Sequence, residues 1–269
     1  MLAFFITMFK DKLRSLIIFT LSSVAFLEMY VATFPLLASQ ADQFNEMMKL
    51  MPKEMFQAFN IEIDTLSFSR LESYVAMENY GIFWPILTII FTIGLANYLC
   101  ASDIEKGTIE TVAALPVSRL KMFFGRYFSG LTMLAIFVLV SVFATFPLAE
   151  IHNISYASAN YVTLAIGGLL FFWAVYAMSV FFSTIFSEKG HVSMAAGGTI
   201  MLMYVLNVLS TFKDSLKNLQ YLSFFHYYDA NTLLDKNQYV EYSFIIFVGL
   251  ALLFTLLAAL RLNRRDLSV

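Results

Sequence analysis

The chain has 269 residues, of which 59% are hydrophobic, 17% aromatic and only 13% charged, against about 25% charged in a soluble domain. A net charge of −2 gives no basic excess for nucleic acid, and a single cysteine, Cys100, excludes an internal disulfide. These bounds point to an all-α protein that crosses a membrane several times.

A helix needs about 20 apolar residues to cross the hydrocarbon core. Six segments approach that length: 16–37, 79–100, 127–148, 161–183, 192–212 and 241–260. Residues 1–15 precede them. Leu2, Phe5, Ile6, Phe9 and Leu13 recur at helical spacing, with Lys10, Lys12 and Arg14 toward the end. This predicts an amphipathic helix lying on the inner membrane surface. Ser39-Gln40-Ala41 faintly resembles a signal-cleavage site, but the apolar run before it exceeds the roughly 7–15 residues of a signal core.

Lysine and arginine set the orientation. Lys10, Lys12 and Arg14 precede the first span; Lys106, Arg119, Lys121 and Arg126 fall between spans two and three; Lys189 falls between four and five; Arg261, Arg264 and Arg265 follow the sixth. If the spans alternate, all lie on one side, which should be cytoplasmic. An even number of crossings puts both termini there too. Most acids fall in the opposite loops, among them Asp42, Glu46, Glu72, Glu78, Glu150, Asp229 and Glu241.

The first outer loop, residues 38–78, is long. Phe44, Met47, Met48, Met51, Met55, Phe56 and Phe59 form a helical apolar stripe, broken by Pro52. One or two short surface helices are expected, either packed on neighbours and lipid or offering a soft surface to an apolar substrate. Residues 213–240 are expected to hold a short re-entrant or lining helix on the same side, with His226 an interfacial residue among Tyr221, Tyr227 and Tyr228.

The most informative polar interruption is residues 101–119, ASDIEKGTIETVAALPVSR. Ser102 and Glu105 have capping-box spacing. Gly107 allows a break. Thr108 can cap a short helix over 109–115, with Ile109, Val112 and Ala113 on one face, and Pro116 stops it. Ser118 can cap the helix that follows. The expectation is a short helix across the membrane plane between two hinges, the shape of a lever pushed by a soluble partner. An ordinary loop with basic anchors has the same spacing.

Inside the spans, Gly167-Gly168 and the cluster Ser193, Ala196, Gly197 and Gly198 permit close helix packing, within one subunit or between two. Glu28 is the one acid well inside a span, placed past its centre toward the outside. An intramembrane acid is a pathway candidate or a hydrogen-bonded structural residue. Asn207 in span five can bond across helices and is, with Glu28, a substrate-pathway candidate. No HExxH, GxSxG or GxxxxGK[ST] pattern occurs, so catalysis and ATP binding of those kinds are not expected.

The run GTIETVAALPVSR, preceded by Asp103 and Glu105, resembles the first cytoplasmic loop of ABC-2-type permeases, most closely the nitrous-oxide-reductase maturation subfamily. Asp103, Glu105, Gly107, Thr108, Glu110, Leu115, Pro116, Ser118 and Arg119 occupy matching positions. Ser183–Lys189 is similar to the family's turn between spans four and five. LSFFHYYDA, from Leu222, is similar to its outer segment, with Phe224 where proline is common; Arg264-Arg265-Asp266 is similar to its ending. The likeness covers about residues 80–269; region 38–78 carries no signature.

The resemblance implies an all-α, type V exporter-like permease fold with six transmembrane helices and an N-terminal surface helix. The chain would be the plasma-membrane subunit of an ATP-driven exporter. A second permease subunit, identical or related, and separate ATPase subunits holding ATP and magnesium are implied as partners, with lipid around the spans. The ATPases would push on Asp103, Glu105, Lys106, Gly107, Thr108, Ile109, Glu110, Val112, Pro116 and Arg119. Apolar lining favours an amphipathic cargo, a peptide or a lipid-like molecule. A secondary transporter, and a non-transporting, ATPase-linked immunity-type protein, stay open as alternatives.

Overall fold

The computed structural model describes residues 1–41, 43, 69–105, 107, 117–212 and 214–265. Among the described residues six helices are long and apolar enough to cross a membrane: α1 Leu2–Ala38, α2 Leu71–Leu99, α4 Arg119–Ile151, α5 Ser158–Ile185, α6 Lys189–Phe212 and α8 Ser243–Arg264. Two short helices join them, α3 Ala101–Glu105 and α7 Phe224–Tyr227. The six expected spans are all present, and among the described residues there is no strand.

The boundaries differ from expectation in two instructive places. No break separates residues 1–15 from the first span; α1 is one helix of 37 residues, about 55 Å long at 1.5 Å per residue. Its buried positions, Met8, Leu16, Ser23, Leu27, Val31 and Phe34, form one stripe along the whole length. That stripe packs on α2 and α4, so the amphipathic and apolar segments share a single face and continue through residue 15.

The second difference is at α2, which begins at Leu71 rather than 79. Glu72 and Glu78 suggested loop, yet Glu72 is buried and accepts the Ala157 backbone N–H at 2.6 Å. A hydrogen-bonded carboxylate is tolerated where an unpaired one is not. Ala76–Phe83 is a π-helix. Its wider turn brings Ala76 O to 2.8 Å from where a Cβ on Gly81 would lie, so only glycine fits. Pro85 then falls in the first α turn after it, where a missing N–H costs least. Tyr228 donates to Tyr80 O at 2.9 Å, tying the segment before α8 onto this turn.

The central helix is α5, which packs against α2, α4, α6 and α8. Gly167 and Gly168 allow the approach: a Cβ at either would meet Leu233 or Trp84 at 2.7 Å. Polar side chains in the spans pair across helices. Trp84 Nε1 donates to Ser141 Oγ at 2.8 Å, Tyr80 bonds Thr145 at 3.0 Å, and Trp173 donates to Tyr127, which bonds Thr255 at 2.6 Å. Such bonds average about 0.6 kcal/mol each in lipid; their use here is register. The helices α1, α6 and α8 instead leave most of their surface open, with exposed leucine, isoleucine and methionine.

The first and last helices have their terminal ends at one end of the bundle, with Lys12, Arg119, Arg126, Lys189 and Arg265; we call it the basic end. At the opposite end Arg70 pairs with Asp235 at 3.0 Å, Ser73 donates to Asp235 at 2.8 Å, and Asn160 donates to Leu234 O at 2.7 Å. A 3-10 helix, Asp214–Leu222, and a π-turn, Asn231–Asp235, pack there against α6 and α5. His226 sits between the Tyr221 and Tyr227 rings, at 5.2 and 4.9 Å; burial lowers its pKa.

Candidate coupling site at the basic end

Of the ten residues assigned to coupling, Asp103, Glu105, Gly107 and Arg119 are described; Lys106, Thr108, Ile109, Glu110, Val112 and Pro116 lie outside the described residues. So does the expected helix over 109–115, and the methionine-rich stripe over 44–59. The two flanks of the coupling stretch are well defined.

On the first flank, α2 ends at Leu99 and α3 begins at once. Ser102 lies within α3 and does not cap it. The Ala101 backbone N–H donates to Ser183 Oγ at 3.2 Å, which fixes α3 to the end of α5. Asp103 is buried, and its Oδ2 is 2.5 Å from Arg126 Nη1. Arg126 also donates to Leu99 O at 2.8 Å and lies over the Tyr98 and Phe4 rings at 5.5 and 5.9 Å. Tyr98 in turn donates to Asp11 on α1. Arg126 had the look of a loop anchor. It sits about two turns into α4 and is 6% exposed, because Asp103 and the Leu99 carbonyl satisfy its charge.

Glu105 turns away from its own helix. Oε2 accepts the Lys189 backbone N–H at 2.9 Å, and Oε1 is 3.3 Å from Lys189 Nζ. Lys189 opens α6, so the carboxylate meets both a free helix N–H and the positive end of the helix dipole. Gly107 follows with φ +68, a backbone region glycine enters without strain, and its N–H bonds Ile104 O at 3.0 Å.

On the second flank, Ser118 caps α4, its Oγ accepting the Lys121 N–H. Arg119 Nη1 donates to the Arg265 carbonyl. The Arg265 guanidinium then reaches the turn after α5: Nη1 donates to Thr184 O at 2.9 Å and Phe186 O at 3.3 Å, and Nη2 to Ser187 Oγ at 2.7 Å. Planar guanidinium forks suit such multiple donation. Both flanks of residues 106–118 therefore end on the same short turn, 184–189, between α5 and α6. The roles of Arg126 and Arg265 were hidden in the sequence, since a count of basic residues names no partner. Cys100, beside α3, is buried and free within the packed core, and burial pushes its thiol up to about 11.

The two pathway candidates are not brought together. Asn207 is buried on α6. Glu28 Oε1 lies 2.8 Å from His152 Nε2 at the far end of α4, a pairing across 124 residues that no local pattern signals. Glu28 is partly exposed.

The sequence profile of one family, described as ABC-2 family transporter protein, matches residues 8–267. A comparison with curated proteins finds no match. The match spans nearly the whole chain and includes all six helices, the coupling flanks and the 184–189 turn. The chain therefore belongs to the ABC-2 family of transporter proteins and is a multi-pass membrane permease of an ABC transporter.

Proposed function

We propose that the chain exports an amphipathic substrate, a peptide or lipid-like molecule, under the drive of separate ATPase subunits that dock on residues 103–119. The family implies association with an ABC ATPase. ATP and magnesium would belong to that subunit. The basic end would face the cytoplasm, in line with the lysine and arginine bias.

The observation that carries the docking assignment is the double tie to the turn 184–189. Glu105 holds Lys189 at one flank; Arg119 holds Arg265, and Arg265 holds Thr184, Phe186 and Ser187, at the other. Displacement of the segment between those flanks would pull on the start of α6. The opposing anchor, Asp103 with Arg126, would keep α2 and α4 fixed, so the displacement becomes a tilt of α6 relative to α5.

α6 is suited to move. It is one of the least enclosed helices, and a Cβ added at Gly197 or Gly198 would meet nothing within 4 Å. Gly167 and Gly168 on α5, by contrast, are filled against Leu233 and Trp84. The glycines of α6 are thus not explained by packing within one subunit. We assign that face to a second permease subunit, with the cargo path between the two and Glu28 and Asn207 as candidate lining groups.

The test is reconstitution of the permease with its ATPase. Glu105→Gln should leave ATP hydrolysis running while transport falls. Transport that follows hydrolysis as in the parent protein would remove the docking assignment.

A further inference from the structure

At the basic end a cavity of about 530 Å³ opens among α1, α2, α3 and α6, lined by Asp11, Lys12, Gly94, Asn97, Tyr98, Ser102 and Lys189. That is within the roughly 300–1,000 Å³ of small-molecule sites. Of its lining, only Lys189 takes part in the coupling scheme. We propose that it binds the headgroup of a zwitterionic phospholipid bearing a primary ammonium, with an acyl chain lying along α2.

Charge decides the class. Two ammonium groups, Lys12 and Lys189, border the cavity. Two carboxylates answer them: Asp11, which accepts from Tyr98, and Glu105, which pairs with Lys189. The balance is neutral, with both signs within a few side chains. A phosphate gains from the lysines but an anion alone also faces the acids; a headgroup carrying phosphate and ammonium satisfies both. A primary ammonium has N–H donors, whereas a quaternary one has none. The acceptor open to those N–H groups is the Asp11 carboxylate, which lines the cavity, while Asn97 Nδ2 is spent on Ser193 Oγ at 2.9 Å. The Tyr98 ring carries the Lys12 ammonium 5.2 Å from its centroid and the Arg126 guanidinium at 5.5 Å, so it already serves cations.

Shape decides that the ligand is a lipid. Ile82, Ile86, Ile90 and Gly94 follow one another at intervals of four along α2, one ridge of the helix. Ile86 and Ile90 are 54% and 56% exposed, although α1 and α6 both pack on α2. The ridge runs from the cavity toward the middle of the bundle, an apolar strip beginning at a polar pocket. A soluble zwitterion would use the pocket and leave the ridge bare.

The proposal stands on binding alone and does not need the export reading, so its test uses the full chain without an ATPase. The protein is exchanged into nanodiscs of equal phosphatidylethanolamine, phosphatidylcholine and phosphatidylglycerol, extracted in mild detergent, and its retained lipid measured by native mass spectrometry. Phosphatidylethanolamine should be retained about tenfold over each of the others, the ratio set by one charge-assisted contact. Gly94→Leu puts a side chain into the cavity from a position where an added Cβ meets nothing within 4 Å; it should abolish the preference while thermal unfolding is unchanged. Asp11→Asn, with every lysine intact, should shift retention toward phosphatidylglycerol. Equal retention of the three lipids, a parent preference for phosphatidylglycerol, or full retention in Gly94→Leu would overturn the proposal. Retention of soluble phosphoethanolamine with no lipid enrichment would overturn the acyl-chain half of it.

Discussion

Glu105 and Lys189 meet twice, carboxylate to backbone N–H at 2.9 Å and carboxylate to ammonium at 3.3 Å. Residues 84 positions apart thereby close the first flank of the coupling stretch onto the start of α6. Both side chains are over a third exposed, so the ionic part is worth little, within about 1 kcal/mol. The value of the contact is geometric.

Its removal should therefore separate mechanics from stability. Glu105→Gln keeps an acceptor for the Lys189 N–H and loses the charge. Thermal unfolding of the purified permease should move by no more than about 1 kcal/mol, while the ratio of substrate moved to ATP hydrolysed falls several-fold. Gly107→Ala, which forces φ +68 on a residue with a Cβ, should add about 1 kcal/mol of local strain and lower the same ratio.

The second flank predicts a local loosening. Arg265→Ala removes the three donor contacts to Thr184, Phe186 and Ser187. Hydrogen exchange of amides 184–190 should accelerate, with exchange in the middle of α5 unchanged. Because Glu105 holds the same turn, the double variant with Glu105→Gln should accelerate exchange more than the sum of the two single changes. Simple additivity would show that the flanks act on separate structures.

The Asp103–Arg126 pair is buried on both sides, and there the energetics are large. Asp103→Asn leaves the Arg126 charge without its counter-ion, a loss of about 3–5 kcal/mol for buried pairs broken on one side. The melting temperature should fall clearly. Asp103→Leu combined with Arg126→Met removes both charges and should recover most of the loss.

Glu28 and His152 pair across α1 and the far end of α4. If the pair only holds the helices together, Glu28→Gln and His152→Gln should change transport equally and modestly. If Glu28 also meets cargo, Glu28→Gln alone should depress transport while both variants assemble normally. Transport assays on the two variants side by side decide this.

His226 gives a pH prediction. Burial holds its folded pKa below 6.5, so the unfolded chain takes up the proton first as pH falls. The contribution of neutral His226 to stability is complete above 6.5 and declines below it, through the window down to the folded pKa. The melting temperature of His226→Gln should fall less steeply than that of the parent protein as pH is lowered through this window.

Apolar run length was enough to place all six helices, because a lipid-crossing helix must satisfy its own backbone and its length is fixed by the bilayer. The Ser118 cap was equally legible, being a local rule of side chain and neighbouring N–H. Glu72 misled because a charged residue reads as loop until its partner, Ala157 N–H, is known. Pairings across the chain were illegible for the same reason: nothing in the residues around Arg126, Arg265 or Glu28 names Asp103, the 184–189 turn or His152. Gly167 and Gly197 looked alike in sequence and differ only in what faces them, Leu233 for one and open space for the other.

The central claim is that an ATPase grips this permease through residues 103–119. A photo-crosslinking residue placed at Ile109 in the full chain, expressed in its own membrane, tests it most directly. The account predicts a covalent adduct with an ATP-binding-cassette ATPase, formed from the cytoplasmic side and weakened when Glu105→Gln is added. Labelling of a cysteine at position 109 by a membrane-impermeant reagent in intact cells, with no ATPase adduct, would contradict it.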